Sequence, residues 1–186
     1  MKEIEILFRL EESKDSAFEK LKELEDKGIK RTIDYYYYFP EDEKFKPNEK
    51  GEILNWFRIR KKGDKTYFTF KHDYVKENGL WSHSDEYETE VSDFETAKKI
   101  VESMGMKPLI TVDNTKHIFV KDDFELVVED VKDLGLFLEV EILNAKEDAD
   151  VEKERKRIFE FVKSLNLVVG KELNIGKPEL MLNKNN

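Results

Sequence analysis

The 186-residue sequence contains no cysteine, which excludes disulfide bonds and thiolate zinc sites outright. Histidine is scarce: His72, His83 and His117 are the three present. Their separations make no metal-ligand pattern, so they read as surface or locally bonded side chains. No apolar run approaches the ~20 residues that a membrane-spanning helix needs. The first ten residues carry charge at alternate positions, unlike the apolar stretch of a signal peptide. A soluble, cytoplasmic protein is the expectation. Glutamine is missing as well, while Lys and Glu abound. A hot habitat and an AT-rich genome account for that bias equally well.

What is present is charge. Asp, Glu, Lys and Arg make up 40% of the chain, and the formal net charge is −9. That balance argues against a nucleic-acid partner, which requires a basic footprint, although local basic clusters can still hold a small polyanion. The length suits one domain with a real core: residues 1–182 are expected to form it, with 183–186 as a flexible tail.

The pattern begins at once. Along Lys2 to Leu10, Ile4, Ile6, Phe8 and Leu10 alternate with Glu3, Glu5, Leu7 and Arg9, the period of a strand with unlike faces. A rise of roughly 3.3 Å per residue puts the Cβ atoms of Glu3 and Glu5 about 6 to 7 Å apart, within joint reach of one divalent cation. Ser13 to Lys27 reads as a helix with Phe18, Leu21 and Leu24 inward and Gly28 as its stop. Ile33 to Phe39, with four tyrosines, is a strand ended by Pro40. Glu41 to Glu52, with Pro47 and Gly51, is a loop.

Ile53 to Lys62 and Lys65 to Tyr74 flank Gly63-Asp64 as a hairpin, and Asn78-Gly79 marks another turn. Asp85 to Val91 is a strand. Ser92-Asp93-Phe94-Glu95 is a capping box opening a helix through Met104, with Phe94, Ala97, Val101 and Met104 inward. Leu109 to Val120, Phe124 to Val131 and Leu136 to Leu143 are strands. Ala149 to Leu165 is an amphipathic helix, and the tail from Gly170 holds one short helix starting at Pro178. Hairpin-linked strands with intervening helices imply an α+β fold, an antiparallel sheet with helices packed outside.

The polar faces of these strands carry same-sign runs. Glu3 and Glu5, then Glu86, Glu88 and Glu90, then Glu139 and Glu141 are acidic; Arg58, Arg60 and Lys62, then Lys71, then Lys116 are basic. An ordinary exposed sheet mixes signs across neighbouring positions. If the sheet closes on itself, these faces line a wet lumen that must take up compensating ions, because unpaired buried charge costs several kcal/mol per ion. Carboxylates suit Mg²⁺ or Mn²⁺, and Arg and Lys suit phosphate. A metal-bridged triphosphate answers both. The run Tyr35 to Tyr38 packs on both faces of its strand, with stacking on a nucleobase as the lesser alternative.

In this order the blocks resemble the CYTH, or triphosphate tunnel metalloenzyme, family. The residues that carry the resemblance are Glu3 and Glu5 of a Glu-x-Glu signature, Arg58-Ile59-Arg60, Thr69-Phe70-Lys71, Glu86-Tyr87-Glu88, and Glu129 through Glu141. No block alone is specific; the ordered set is. The match departs from the family pattern at Leu7 and Asn114, where a Lys is usual, at Lys116, which replaces an Arg, and at Glu129, which replaces an Asp.

The resemblance implies a closed antiparallel β-barrel, a tunnel, of about eight strands. It implies metal at Glu3, Glu5, Glu129, Glu139 and Glu141, and Mg²⁺ or Mn²⁺ as the cofactor. It also implies substrate contacts from Arg9, Arg58, Arg60, Lys71, Glu86, Glu88 and Lys116, with Lys71, Arg58 and Arg60 closest to the chemistry. The partner is a small-molecule triphosphate, ATP or another, with no nucleic acid and no membrane; the protein is a monomer or a homodimer. Three activities stay open: cyclisation of ATP to cyclic AMP and pyrophosphate, as in class IV adenylyl cyclases; hydrolysis of thiamine triphosphate or tripolyphosphate; and binding without turnover.

Overall fold

The computed structural model describes residues 2–48, 52–77, 79 and 81–185. In chain order its elements are β1 (Lys2–Glu3), β2 (Glu5–Leu10), α1 (Lys14–Leu21), β3 (Glu25–Tyr38), β4 (Asn55–Lys62), β5 (Lys65–Val75), β6 (Trp81–Val91), α2 (Phe94–Ser103), β7 (Lys107–Lys121), β8 (Phe124–Val131), β9 (Gly135–Ile142), α3 (Val151–Ser164), β10 (Val169–Leu173) and α4 (Lys177–Asn185). This is the expected α+β class, a mostly antiparallel sheet with four helices, but it has ten strands where about eight were expected. Among the described residues no helix is long and apolar enough to cross a membrane.

The chain forms two compact units, Met1–Lys30 with Asn114–Gly176, and Arg31–Asp113 with Lys177–Asn186. In the first, β2 pairs antiparallel with β9 on one side and β10 on the other, β9 pairs with β8, and β8 with β7. The apolar face that β2 presents does what its alternation predicts. Ile4, Ile6, Phe8 and Leu10 pack with Leu126, Val128, Leu138 and Val140 against Ala17 and Leu21 of α1 and Ile158, Phe161, Val162 and Leu165 at α3. Each such large side chain removed from water contributes about 1.5–3 kcal/mol, and this layer fixes which face of every strand is left for the charges. In the second unit β3, β4, β5 and β6 pair antiparallel in that order. Their apolar side, with Tyr37 and Ile59, packs on Ala97 and Val101 of α2.

Several expected boundaries move, each for a local reason. The helix begun at Ser13 stops at Leu21, and residues 25–38 are one long strand. Gly28 is therefore no helix stop; it lies inside β3 at φ +83°, where the Asp26 carboxylate accepts from its amide at 2.6 Å and also meets His117 Nε2 of β7 at 2.9 Å. Pairing with a distant strand has overridden helix propensity here. In α2 the cap is Asp93, not Ser92, accepting from the amide of Thr96 at 2.7 Å. Met104 is exposed, and Met106, after Gly105 at φ +96°, is buried instead.

Strand β10 was not expected, because five residues with a register shift show no clean period. α3 has slightly narrower ends, holding Ile158, Phe161 and Val162 with Leu165 as its C-cap, and the Gly63-Asp64 hairpin pairs Lys62 with Lys65 as anticipated. α4 runs from Lys177 to Asn185, past the expected boundary at 182. Of the expected loop and turn, Gly51 and Asn78 lie outside the described residues, as does Asn186 of the tail.

Candidate functional site

In the first unit the register stacks acidic side chains into rows. Glu5 of β2 is opposite Glu141 of β9, which is opposite Glu125 of β8. The next row is Leu7, Glu139 and Val127, and the one after it Arg9, Phe137, Glu129 and Lys116. The ladder is interrupted at Ile4, so Glu3 belongs to β1 and Glu5 to β2. The two carboxylates are thus not on one regular strand, as the simple spacing had assumed.

These rows do not behave alike. Lys116 Nζ lies 2.8 Å from Glu129 and 3.5 Å from Glu139, so a cation already attends the fully buried Glu129 carboxylate. Arg9 donates to the carbonyl of Leu134 at 3.1 Å, with its guanidinium 5.0 Å from the Phe137 ring centre. The Glu5 row sets three acids side by side. Burial, then Glu3, Glu5, Glu139 and Glu125 in turn, push the Glu141 carboxyl up to about 9, as expected where like charges crowd a partly desolvated acid.

A hard divalent cation fits this donor set, since it would be held by oxygen ligands alone and would relieve that repulsion. Among the described residues no three carboxylates already converge on one point as metal ligands would, so the face offers charge and reach rather than a formed coordination shell.

In the second unit the basic face is built on β4. Arg60 makes a two-pronged pair with Asp34 of β3, Nε to Oδ1 at 2.7 Å and Nη2 to Oδ2 at 2.8 Å. Arg58 donates to Tyr36 Oη and to Glu86 Oε2, both at 3.3 Å, and lies 3.8 Å from Asp34. Burial works against charge on both guanidiniums, and at Arg60 so does the neighbouring Arg58. Asp34, joined at Arg58 by Tyr36 and Glu86, outweighs these effects and keeps both pKa values above the ordinary arginine value.

Glu88 accepts from Thr69 at 2.9 Å and sits 3.9 Å from Arg60. Glu86 and Glu88 therefore stand beside the arginines as their partners. Lys71 is directly opposite Glu86 in the β5–β6 ladder, and its ammonium lies 5.9 Å from the Trp81 ring centre. Arg58 Nε is buried without a hydrogen-bond partner.

One end of this face is acidic. Asp73 accepts from Trp56 Nε1 at 2.9 Å and from Ser84 Oγ at 2.6 Å. Burial, then Asp73, then Glu52 push Glu179 of α4 up to about 7, against a helping amide from Ile53. The sequence reading missed Glu125, Asp34, Asp73 and Glu179. Glu125 stands between the buried Phe124 and Leu126 and was recoverable from that local pattern; the other three become visible only through register and packing. The three histidines are locally engaged, His72 with Asn55 at 2.8 Å, His83 with Ser82 at 3.1 Å and His117 with Asp26.

Comparison with known proteins agrees with the residue pattern. Residues 1–168 match the CYTH domain. A Methanocaldococcus jannaschii protein, provisionally named an adenylate cyclase, is 30% identical over 182 residues, covering 97% of this chain and 94% of that one. A Pyrococcus horikoshii structure superposes with TM-score 0.79 at 22% identity, covering 98% of this chain and 99% of that one. A Hippeastrum protein, reported as an adenylyl cyclase candidate with a dominant triphosphatase activity, superposes with TM-score 0.67 at 14% identity over 98% of this chain and 96% of that one. The chain belongs to the CYTH domain family.

Proposed function

We propose that this protein is a metal-dependent enzyme that converts ATP to cyclic AMP and pyrophosphate, in the manner of class IV adenylyl cyclases. The barrel closure implied by the resemblance is part of the same proposal, as is a single working domain over residues 1–182. The observation that carries it is the row Glu5, Glu141 and Glu125, whose central carboxyl is pushed up to about 9 by burial and by the acids around it, a repulsion that a bound cation would relieve. Its complement is the Arg58 and Arg60 pair, kept charged by Asp34.

Magnesium or manganese held by Glu3, Glu5, Glu139 and Glu141, with Glu129 behind Lys116, would offset phosphate charge and make a hydroxyl more acidic. Arg58 and Arg60 grip phosphate oxygens with planar, multi-pronged hydrogen bonds. Lys71 adds a point charge, and Arg9 and Lys116 add reach. Glu86, Glu88 and Asp34 hold the two guanidiniums in orientation, so that the donors are already placed where negative charge develops. The ribose 3′-hydroxyl then displaces pyrophosphate from the α-phosphorus.

Hydrolysis of a terminal phosphate is the second reading, favoured by the triphosphatase activity reported for the Hippeastrum protein. Product analysis separates the two: cyclic AMP with pyrophosphate supports the first, and orthophosphate from ATP, thiamine triphosphate or tripolyphosphate supports the second. Ligand binding with no turnover under either metal would leave a non-catalytic binding module.

A further inference from the structure

A guanidinium lies in the apolar layer between α3 and the sheet. Arg155 of α3 is 6% exposed and points inward beside Ile158 and Val162. Its Nη2 pairs with the Glu172 carboxylate of β10, and its Nη1 lies 3.5 Å from the backbone carbonyl of Glu5.

The ladder places this contact at the end of a strand pairing. β10 pairs with β2 at Leu10, Phe8 and Leu7 and goes no further, so Glu5 lies beyond the last β10 partner. On the other side the regular strand breaks at Ile4, whose carbonyl accepts from Ile142 at 3.1 Å. A backbone carbonyl at the end of a ladder takes its hydrogen bonds from outside the ladder. Arg155 supplies one, while its bridge to Glu172 anchors the strand whose register shifts between Val169 and Glu172.

A buried ion pair is weak grounds for stability, since apolar side chains of like volume often serve as well or better. What Arg155 provides is placement. The Glu5 side chain projects from the opposite face of the same residue, directly across from Glu141, so a shift of this backbone moves one carboxylate of the row against the other.

We infer that Arg155 is a positioning residue for the proposed cation site: through the Glu5 carbonyl and the Glu172 carboxylate it fixes the backbone that presents the Glu5 carboxylate. The inference rests on the metal reading above and extends it to a residue that touches neither metal nor substrate.

The test compares wild type, Glu5→Gln, the paired variant Arg155→Met with Glu172→Met, and Arg155→Lys. Each is stripped of metal, and its affinity for Mn²⁺ is read by electron paramagnetic resonance, with melting temperature measured alongside. The paired variant should melt within a few degrees of wild type yet bind Mn²⁺ about tenfold more weakly, the scale on which groups behind metal ligands act. Backbone amide exchange at Glu5, Ile6 and Leu7 should quicken in step. Arg155→Lys keeps the charge beside Glu172 but gives up the fork that reaches both partners. It should fall between the two, and it keeps the test decisive if the paired variant does not fold. Mn²⁺ affinity unchanged in both Arg155 variants but weakened in Glu5→Gln would overturn the inference and leave the metal reading intact. Affinity unchanged in Glu5→Gln as well would overturn both.

Discussion

Glu5 and Glu141 face each other directly across β2 and β9, two acids in a row that continues to Glu125. Like charges directly opposite in a sheet destabilise it, and the protein tolerates this one by keeping the Glu141 carboxyl protonated up to about pH 9.

That relationship fixes a pH dependence. The folded-state pKa of Glu141 lies above its ordinary value of 4.5, so its contribution to stability is complete below pH 4.5 and is lost as pH rises through about 9. Metal-free wild type should therefore lose melting temperature across that window. Glu141→Gln should flatten the loss and gain roughly 2 kcal/mol at pH 8, well under the full shift because four neighbouring carboxylates share it. Added Mg²⁺ or Mn²⁺ should stabilise wild type and should stabilise this variant much less, as thermal unfolding with and without metal will show.

Glu179 sets a second, narrower window. Its carboxyl is raised from 4.5 to about 7 by burial and then by Asp73 and Glu52, so its contribution is complete below pH 4.5 and is lost as pH climbs through 7. Between pH 5 and 8 the melting temperature of Glu179→Gln should fall less than that of wild type. The difference should be small, since the group is partly solvated and screened. Parallel melting curves at four or five pH values measure it.

Asp34 holds Arg60 by both prongs from an almost fully buried position. Asp34→Asn leaves two guanidiniums facing a neutral amide, and removing one partner of a buried pair costs about 3 kcal/mol or more. Chemical denaturation should show that loss. Arg60→Lys should keep more of the stability but lose the fork, weakening triphosphate affinity about tenfold, which calorimetric titration with tripolyphosphate reads directly.

The fold was legible in the sequence wherever one face of an element is buried. Ile4, Ile6, Phe8 and Leu10 announce β2, and Ile158, Phe161, Val162 and Leu165 announce α3, because their periods match the layer they enter. The sequence misled where long-range pairing decides. Nothing local says that Asp26 and Gly28 belong to a strand until His117 is beside them, and β10 exists only through its pairing with β2. The charged faces were visible as same-sign alternation, but their division of labour was not. That Lys116 attends Glu129 and Glu139, while Glu141 is buried among other acids, depends on register. So does the support that Asp34 gives Arg60, from a strand that reads as a run of tyrosines.

Glu125 provides an independent check on that register. It completes the row beyond Glu141, so Glu125→Gln should lower the apparent pKa of Glu141 and weaken Mn²⁺ binding, by less than Glu5→Gln does. Titration of the Glu141 carboxyl carbon by nuclear magnetic resonance in wild type and variant reads the first effect, and Mn²⁺ titration the second.

Product analysis of wild type and Glu5→Gln with ATP, under Mg²⁺, under Mn²⁺ and under chelator, joins the acidic row to the chemistry in one experiment. Wild type should yield cyclic AMP and pyrophosphate in a metal-dependent reaction, reduced roughly a hundredfold or more in Glu5→Gln, the scale on which loss of one charge-stabilising group acts. Turnover indifferent both to chelation and to Glu5→Gln would rule out a metal-dependent cyclase built on this row, as would the absence of turnover and binding with ATP, thiamine triphosphate and tripolyphosphate alike.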